Sequence, residues 1–281
     1  MDREALERRR FRSKGLNALN GLNGLLNGKL FDIEAVFSAI PELLRFLPVS
    51  LEITFISMLA GLVLGLVLAI IRIKKVPVLS QLITLFISFI RGTPMIIQLY
   101  LSYNGIPLLL KYINMTYGTD YSINAIPAML FVLITFSCNE AAYNSETIRA
   151  ALQSVNKGQI EAAESLGMTY FQVLKRVIIP EALVVAVPPL GNALISLLKG
   201  TSLAFVAGVV EMTAQGKIIS GSTFRFFEVY LALAIIYWAL TIVIEQILKY
   251  LEKKFSIPDV DGNPLKKRRL FSFFSSTRGD V

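Results

Sequence analysis

The run from Ile53 to Ile71 contains no charged residue and is bounded by Glu52 and Arg72. A helix needs about 20 apolar residues to cross a hydrocarbon core about 30 Å thick. Within that core only helices and closed barrels satisfy their own backbone groups. This one segment therefore commits the chain to a membrane. Composition agrees: of 281 residues, 54% are hydrophobic and 17% charged, whereas a soluble domain carries about 25% charge.

Four further apolar segments follow the first. The second is read from about Leu79 to Tyr103, with a kink near Pro94 where Arg91-Gly92-Thr93-Pro94 interrupts it. The third runs from about Asn124 to Ser145 and turns polar in its second half. The fourth starts near Pro180 and reaches about Lys199, with another apolar piece from Thr201 to Val210; Pro188 and Pro189 predict a broken helix there. The fifth is Val229 to Ile244, extending toward Tyr250, with Trp238 read as internal packing. The expected fold class is all-α, a polytopic membrane protein of five spans. Gly61 and Gly65 form a small-residue pair that suits close helix packing within the subunit. Residues 46–255 are read as the transmembrane domain, 256–281 as a basic tail, and 1–45 as a basic, Asn/Gly/Leu-rich extension that is a linker or lies at the interface. No apolar stretch follows the first basic residues, so a cleavable signal is not expected.

Orientation follows from Lys and Arg in short loops. They concentrate after the first span (Arg72, Lys74, Lys75), after the third (Arg149, Lys157, Lys175, Arg176) and after the fifth (Lys249, Lys253, Lys254). This places the N-terminus outside and the C-terminus in the cytoplasm. The basic head, with Arg3, Arg8, Arg9, Arg10 and Arg12, opposes that assignment.

Two absences exclude much chemistry. Cys138 is the single cysteine and there is no histidine. An internal disulfide, a histidine triad and a His-ligated metal are thereby excluded. The net charge of +8 is concentrated at the two ends and in short loops, the pattern membrane topology produces. Nucleic acid is not an expected partner; membrane lipid is.

The loop between the third and fourth spans is long. Gln159 to Leu166 is rich in helix formers, Gly167 suits a left-handed cap, and Thr169 can begin a second helix that Pro180 stops or kinks. Such an elbow, with Ala162 and Ala163 on one surface, suits insertion into a partner's groove.

Glu161-Ala162-Ala163, Gly167 at the matching spacing, and Pro180 resemble the hallmark loop of the inner-membrane permease subunits of ABC importers. Val177 and Ile179 are conservative departures from that pattern. Arg91-Gly92-Thr93-Pro94 with Gln98, and Lys199-Gly200-Thr201-Ser202-Leu203, look like the branch that imports polar amino acids. The resemblance covers roughly residues 46–255. It implies a five-span permease core of the type I importer kind and an ATPase-coupling role for Glu161, Ala162, Ala163, Gly167 and Pro180. It also implies a second permease subunit (a copy or a relative), two cytoplasmic ATPase subunits that bind ATP and Mg, and an extracytoplasmic solute-binding protein. The sequence has no GxxxxGK[ST] phosphate loop. Neither catalysis nor a cofactor is expected in this chain.

Polar residues at membrane depth are costly and face a cavity or a partner. Glu140, Tyr143 and Asn144 fall on one face of the third span. Two readings stand for Glu140: it meets a substrate amino group, or it is solvated at the cytoplasmic interface. Arg91 either receives a substrate carboxylate or ties carbonyls freed by the Gly-Thr-Pro break. Thr93, Gln98, Lys199, Thr201 and Ser202 complete the expected path. A secondary transporter with an intramembrane Glu as proton site is the alternative. The substrate is left open among cationic, amide and sulfur-containing amino acids such as cystine.

Overall fold

The computed structural model describes residues 31–122 and 125–255, and they are helical with no strand among them. In chain order the helices are α1 Ile33–Leu44, α2 Leu47–Ile73, α3 Leu79–Gly92, α4 Met95–Tyr117 and α5 Ala128–Gln153. Then come α6 Lys157–Ser165, α7 Tyr170–Val173, α8 Ile179–Gly200, α9 Met212–Thr223 and α10 Phe226–Phe255. A π-helical turn joins α7 to α8, and a 3₁₀ segment, Thr201–Ala207, follows α8.

Three stretches are long and apolar enough to cross a membrane: Leu47–Ile73, Tyr170–Ala207 and Phe226–Lys254. The α3–α4 pair passes the same test jointly. Helix α5 has 26 residues, about 39 Å at 1.5 Å per residue, but its second half is polar. That is tolerable because α5 is the buried axis of the bundle: Glu140, Ala141, Ala142, Asn144 and Ser145 are all withdrawn from the surface. Lipid compatibility is demanded only of surfaces that meet lipid.

The packing around α5 is set by small residues. Helices α2 and α5 run parallel, with Gly61 against Glu140 and Ala141, and Gly65 against Ala141, Asn144 and Ser145. This is the close approach within the subunit expected of the glycine pair. Helix α4 runs antiparallel to α5, through Gln98 to Asn139, Ser102 to Thr135, and Tyr103 edge-on to Phe131 at 5.5 Å. Ile53, Leu99, Val132, Phe136, Leu197 and Ala204 close the shared core.

The second span departs from expectation. It is no kinked rod ending at Tyr103: α3 and α4 meet at 113° across Thr93 and Pro94, and α4 continues to Tyr117. Gln98 stabilises the break. Its amide donates to the carbonyls of Ile90 (2.7 Å) and Thr93 (3.0 Å), which α3 leaves unpaired at its end. The tie assigned to Arg91 is thus made by Gln98. The fourth span also differs. Pro188 and Pro189 lie inside an unbroken α8, and the change of helix type comes later, at Thr201. Pro180 does not stop the preceding helix either. It has no N–H to offer the carbonyl four residues back, and the ladder widens instead: Ile179 N–H bonds Leu174 O across the π turn Leu174–Ile178. Trp238 is 68% exposed and faces outward rather than into the packing.

Residues 31–45, expected to belong to a linker or interfacial extension, fold onto the bundle. Val36, Ala39 and Leu43 of α1 pack with Met212, Ile219 and Leu233 of α9 and α10. Residues 1–30 and the basic tail 256–281 lie outside the described residues, as does the start assigned to the third span at Asn124. Helix α5 begins after Pro127.

Glu211 ties the N-terminus of α9 to the rest. Its fully buried carboxylate accepts from the N–H groups of Thr213 (2.9 Å) and Ala214 (2.8 Å). It also accepts from Ser50 Oγ on α2 and Tyr237 OH on α10, both at 3.4 Å. Removing it takes the acceptor from the N–H groups of α9 and from Ser50 of α2, at about 1–3 kcal/mol for each buried group, while Tyr237 OH keeps Thr213 Oγ1 at 3.3 Å. Glu211→Ala is expected to speed amide exchange at Thr213 and Ala214 well above the parent rate, with Glu211→Gln intermediate. Unchanged exchange in the alanine variant overturns this role.

Candidate functional site

Helix α5, the α3–α4 break and the middle of α8 enclose a cavity of about 570 Å³. From α5 come Asn139, Glu140, Tyr143, Asn144 and Thr147; from the break, Arg91, Thr93 and Met95; from α8, Pro189, Asn192 and Ser196. Glu140, Tyr143, Asn144 and Thr147 recur at helical spacing, so one face of α5 supplies the polar wall. Because α5 begins at Ala128, Glu140 lies about 18 Å along it, near the middle of a hydrocarbon core about 30 Å thick.

The cavity carries both signs of charge. Glu140 is 6% exposed and accepts one hydrogen bond, from Asn144 Nδ2 at 3.3 Å. The Asn144 amide also approaches Met58 sulfur at 3.7 Å. Among the described residues, the buried Asn144 Oδ1 has no hydrogen-bond partner. Arg91 stands with its guanidinium 5.4 Å from the centre of the Tyr143 ring, a cation–π contact that leaves its N–H donors in the ring's periphery open to a carboxylate. A cation, an anion and amide groups thus share one wall.

Of the nine residues expected on a path, the structure brings Arg91, Thr93, Glu140, Tyr143 and Asn144 to this cavity. The other four do not line it. Gln98 is buried under the break, donating to Ile90 and Thr93 and accepting from Asn139 at 2.9 Å. Thr201 is fully buried, its hydroxyl donating to Leu198 O at 2.7 Å. Lys199 is exposed near the end of α8, and Ser202 is half-buried in the 3₁₀ segment. Asn139, Thr147, Pro189, Asn192 and Ser196 were missing from the expected set. Reading α8 as continuous through its two prolines supplies the signal, because residues 189, 192 and 196 then share one face.

Toward the C-terminal end of α5, Glu146 is held by two arginines. Arg72 NH1 of α2 bonds Glu146 Oε1, and Arg149 bonds Oε2 at 2.7 Å. Arg149 continues to Gln153 at 2.9 Å.

The elbow takes the helix–Gly–helix form its sequence predicts, but Ala162 and Ala163 do not share a surface: successive helical positions diverge, leaving Ala162 exposed and Ala163 buried. Asn156 caps α6 by accepting from Gly158 N–H, and Gly167 takes φ +79°, the left-handed turn that ends the helix. Thr169 and Gln172 form a reciprocal capping box for α7. Ala163 and Val173 face inward, and Ala151, Val155, Ala182 and Ala186 clamp the elbow's base to α5 and α8. Outside stand Glu161, Ala162 and Gly167, with Leu166, Tyr170 and Phe171 between 67% and 80% exposed. Pro180 is exposed at the second position of α8.

A bundle of membrane helices with a charged central cavity, and a projecting helical elbow rigidly joined to its wall, is the membrane subunit of a transport system. The family model described as "binding-protein-dependent transport system inner membrane component" matches residues 61–257, and the chain belongs to that family. It is 43% identical over 227 residues to YxeN of Bacillus subtilis strain 168, described as a "probable amino-acid permease protein"; the match covers 81% of this chain and 97% of the relative. It is 41% identical to the L-cystine transport system permease protein TcyL of the same organism, over 80% of this chain and 92% of that one. A crystal structure of an amino acid ABC transporter with histidines superposes with a TM-score of 0.67 at 33% identity, covering 80% of this chain and 99% of the other.

The glycine contacts give a test of the site's scaffold. A Cβ at Gly61 meets Glu140 Cβ at 2.4 Å, whereas at Gly65 the nearest atoms are at 3.1–3.3 Å. Overpacking of this kind costs about 1–3 kcal/mol. Gly61→Ala is expected to lower the thermal midpoint of the purified subunit in detergent more than Gly65→Ala does. Equal midpoints for the two variants rule out the closer contact as a constraint on packing.

Proposed function

We propose that this chain is the permease subunit of an ATP-driven importer of polar amino acids, and that the central cavity is its translocation path. The observation that carries this reading is the pairing of Arg91 with Glu140 in one cavity. An α-amino acid is a zwitterion: its carboxylate suits the guanidinium, and its ammonium suits the Glu140 carboxylate. Relatives that bear amino-acid transport names support the substrate class. The side chain of the substrate faces Asn192 and Ser196 in this arrangement, which suits a polar group, whether amide, cationic or sulfur-containing.

Energy enters from outside the chain. The elbow seats through Glu161, Ala162 and Gly167, with Ala163 packed beneath them, in a cleft of a cytoplasmic ATPase subunit that binds ATP and Mg. Two permease subunits pair around the path, two ATPases drive them, and an extracytoplasmic binding protein delivers the substrate. The N-terminus lies outside and the C-terminus inside, which puts the elbow in the cytosol. Exposed Leu166, Tyr170 and Phe171 fit that seat better than they fit water.

Three experiments on the reconstituted importer test these roles. Glu140→Gln is expected to raise KM for uptake by about tenfold, the loss of about 1.4 kcal/mol of charge-assisted binding. An unchanged KM removes Glu140 from the path. Uptake in the parent requires ATP and survives collapse of the proton gradient; the reverse result supports a proton-driven carrier. Gly167→Asp places a charge, and a side chain at φ +79°, in the seat. It is expected to abolish uptake while insertion and folding persist. Retained ATP-driven uptake overturns the coupling role.

A further inference from the structure

A second polar hollow, of about 460 Å³, lies behind the central cavity. Arg72, Thr84, Ser88, Arg91, Tyr143 and Glu146 line it. Arg91, Tyr143 and Glu146 line both hollows. The Arg91–Tyr143 contact is therefore a partition between two chambers rather than a dead-end wall.

Helix α3 explains why the second chamber is polar. It has three faces. Ile83, Ile87 and Ile90 are buried against Leu68, Ile71 and Ala142. Leu82, Leu85 and Phe89 are exposed and apolar, 51–67% accessible, as a lipid-facing surface is. Thr84, Ser88 and Arg91 form a third, exposed polar stripe at i, i+4, i+7 spacing. A polar stripe ending in a cation is costly in hydrocarbon and belongs beside water or a charged ligand. The stripe starts at the partition and runs back toward the N-terminus of α3. That end joins the basic turn holding Arg72, Lys74 and Lys75.

The charges repeat those of the first chamber. Glu146 offers a carboxylate, held by Arg72 and Arg149. Arg72 is a guanidinium with five N–H donors, and its bond to Glu146 uses one nitrogen. Two guanidinium groups (Arg72 and Arg91) stand against one carboxylate in the lining, and Arg149 holds that carboxylate from outside it, so the chamber attracts an anionic group. The geometry points to a second substrate station on the cytoplasmic side. The amino acid's carboxylate passes from Arg91 to Arg72 along the Thr84 and Ser88 hydroxyls, and its ammonium passes from Glu140 to Glu146. At the second station the substrate carboxylate competes with Glu146 for Arg72, while Arg149 retains Glu146. This inference rests on the central cavity being the path.

The test uses the complete importer in liposomes, with its ATPase and binding protein. Cys138 is the single cysteine, so a Cys138→Ser background accepts one reporter at a time. Ser196→Cys reports the first chamber and Ser88→Cys the second. Each is treated with a charged methanethiosulfonate from the cytoplasmic side, with and without a mixture of the proteinogenic L-amino acids and L-cystine. Both reporters are expected to react, and the amino acids are expected to slow each reaction at least about threefold. Protection at Ser196→Cys without protection at Ser88→Cys overturns the second station alone. Protection at neither overturns the path reading beneath it. No reaction at Ser88→Cys with the charged reagent means that the hollow faces lipid. A rate there that follows the anionic-lipid content of the vesicles, and not the amino acids, makes it a headgroup site; either result overturns the station. A second variant avoids every ion pair. Ser88→Phe fills the chamber and is expected to cut maximal uptake about fivefold with KM unchanged. Unaltered uptake in that variant overturns the proposal.

Discussion

Everything polar in this subunit depends on how closely α5 approaches α2. Gly61 and Gly65 remove two side chains where the helices touch, and Glu140, Ala141, Asn144 and Ser145 fill the space. Within hydrocarbon, packing of this kind supplies association that hydrophobicity cannot, because lipid tails are as apolar as the helices. Surrounded by α2, α3, α4 and α8, α5 is free of the composition that lipid demands. Its polar half can then sit at membrane depth and turn Glu140, Tyr143, Asn144 and Thr147 toward one cavity.

The cavity exists because the opposite wall is broken. A straight second span presents a continuous apolar cylinder to α5. The 113° turn at Thr93 and Pro94 instead opens a gap and exposes backbone carbonyls to be satisfied. Gln98 meets that demand with Ile90 and Thr93, and Asn139 fixes Gln98 in turn. A chain of side-chain bonds thus runs from the break to α5. Arg91, relieved of any duty to the backbone, is left standing over Tyr143 at the edge of the gap.

The sequence made the spans, the elbow and half of the cavity legible, for different reasons. Spans are read from uncharged length, which is local. The elbow is read from Gly167 and Thr169, whose backbone preferences are also local, and both took the expected conformations. The α3–α4 angle was illegible because Pro94 signals a break without its size; Gln98, four residues on, sets what the break becomes. Pro188 and Pro189 misled for the opposite reason. A proline's missing hydrogen bond can be absorbed inside a well-packed helix, and α8 continues through both. That continuity moved the cavity wall to Pro189, Asn192 and Ser196 and left Lys199 and Thr201 aside. Residues 31–45 are rich in apolar positions, but the sequence does not show what those positions pack against. Their partner, the α9–α10 surface, is nearly two hundred residues away in sequence.

The unbroken α8 also joins the elbow to the cavity wall. From Tyr170 to Ala207 the chain is one helical rod of 38 residues, about 57 Å long at 1.5 Å per residue. It starts at the capping box beside Gly167 and carries Asn192 and Ser196 in the cavity wall. The base of the rod is clamped to α5 through Ala151 and Val155 against Ala182 and Ala186. From Tyr170 to Ala207 no loop interrupts the rod; the non-helical connection, residues 166–169, lies between the rod and α6. The compliant point along the rod is the π turn at Leu174–Ile178, where Pro180 has already forced the ladder to widen. A displacement at the base of the rod either flexes that turn or carries Asn192 and Ser196 relative to Glu140, and the second outcome reshapes the cavity these residues line.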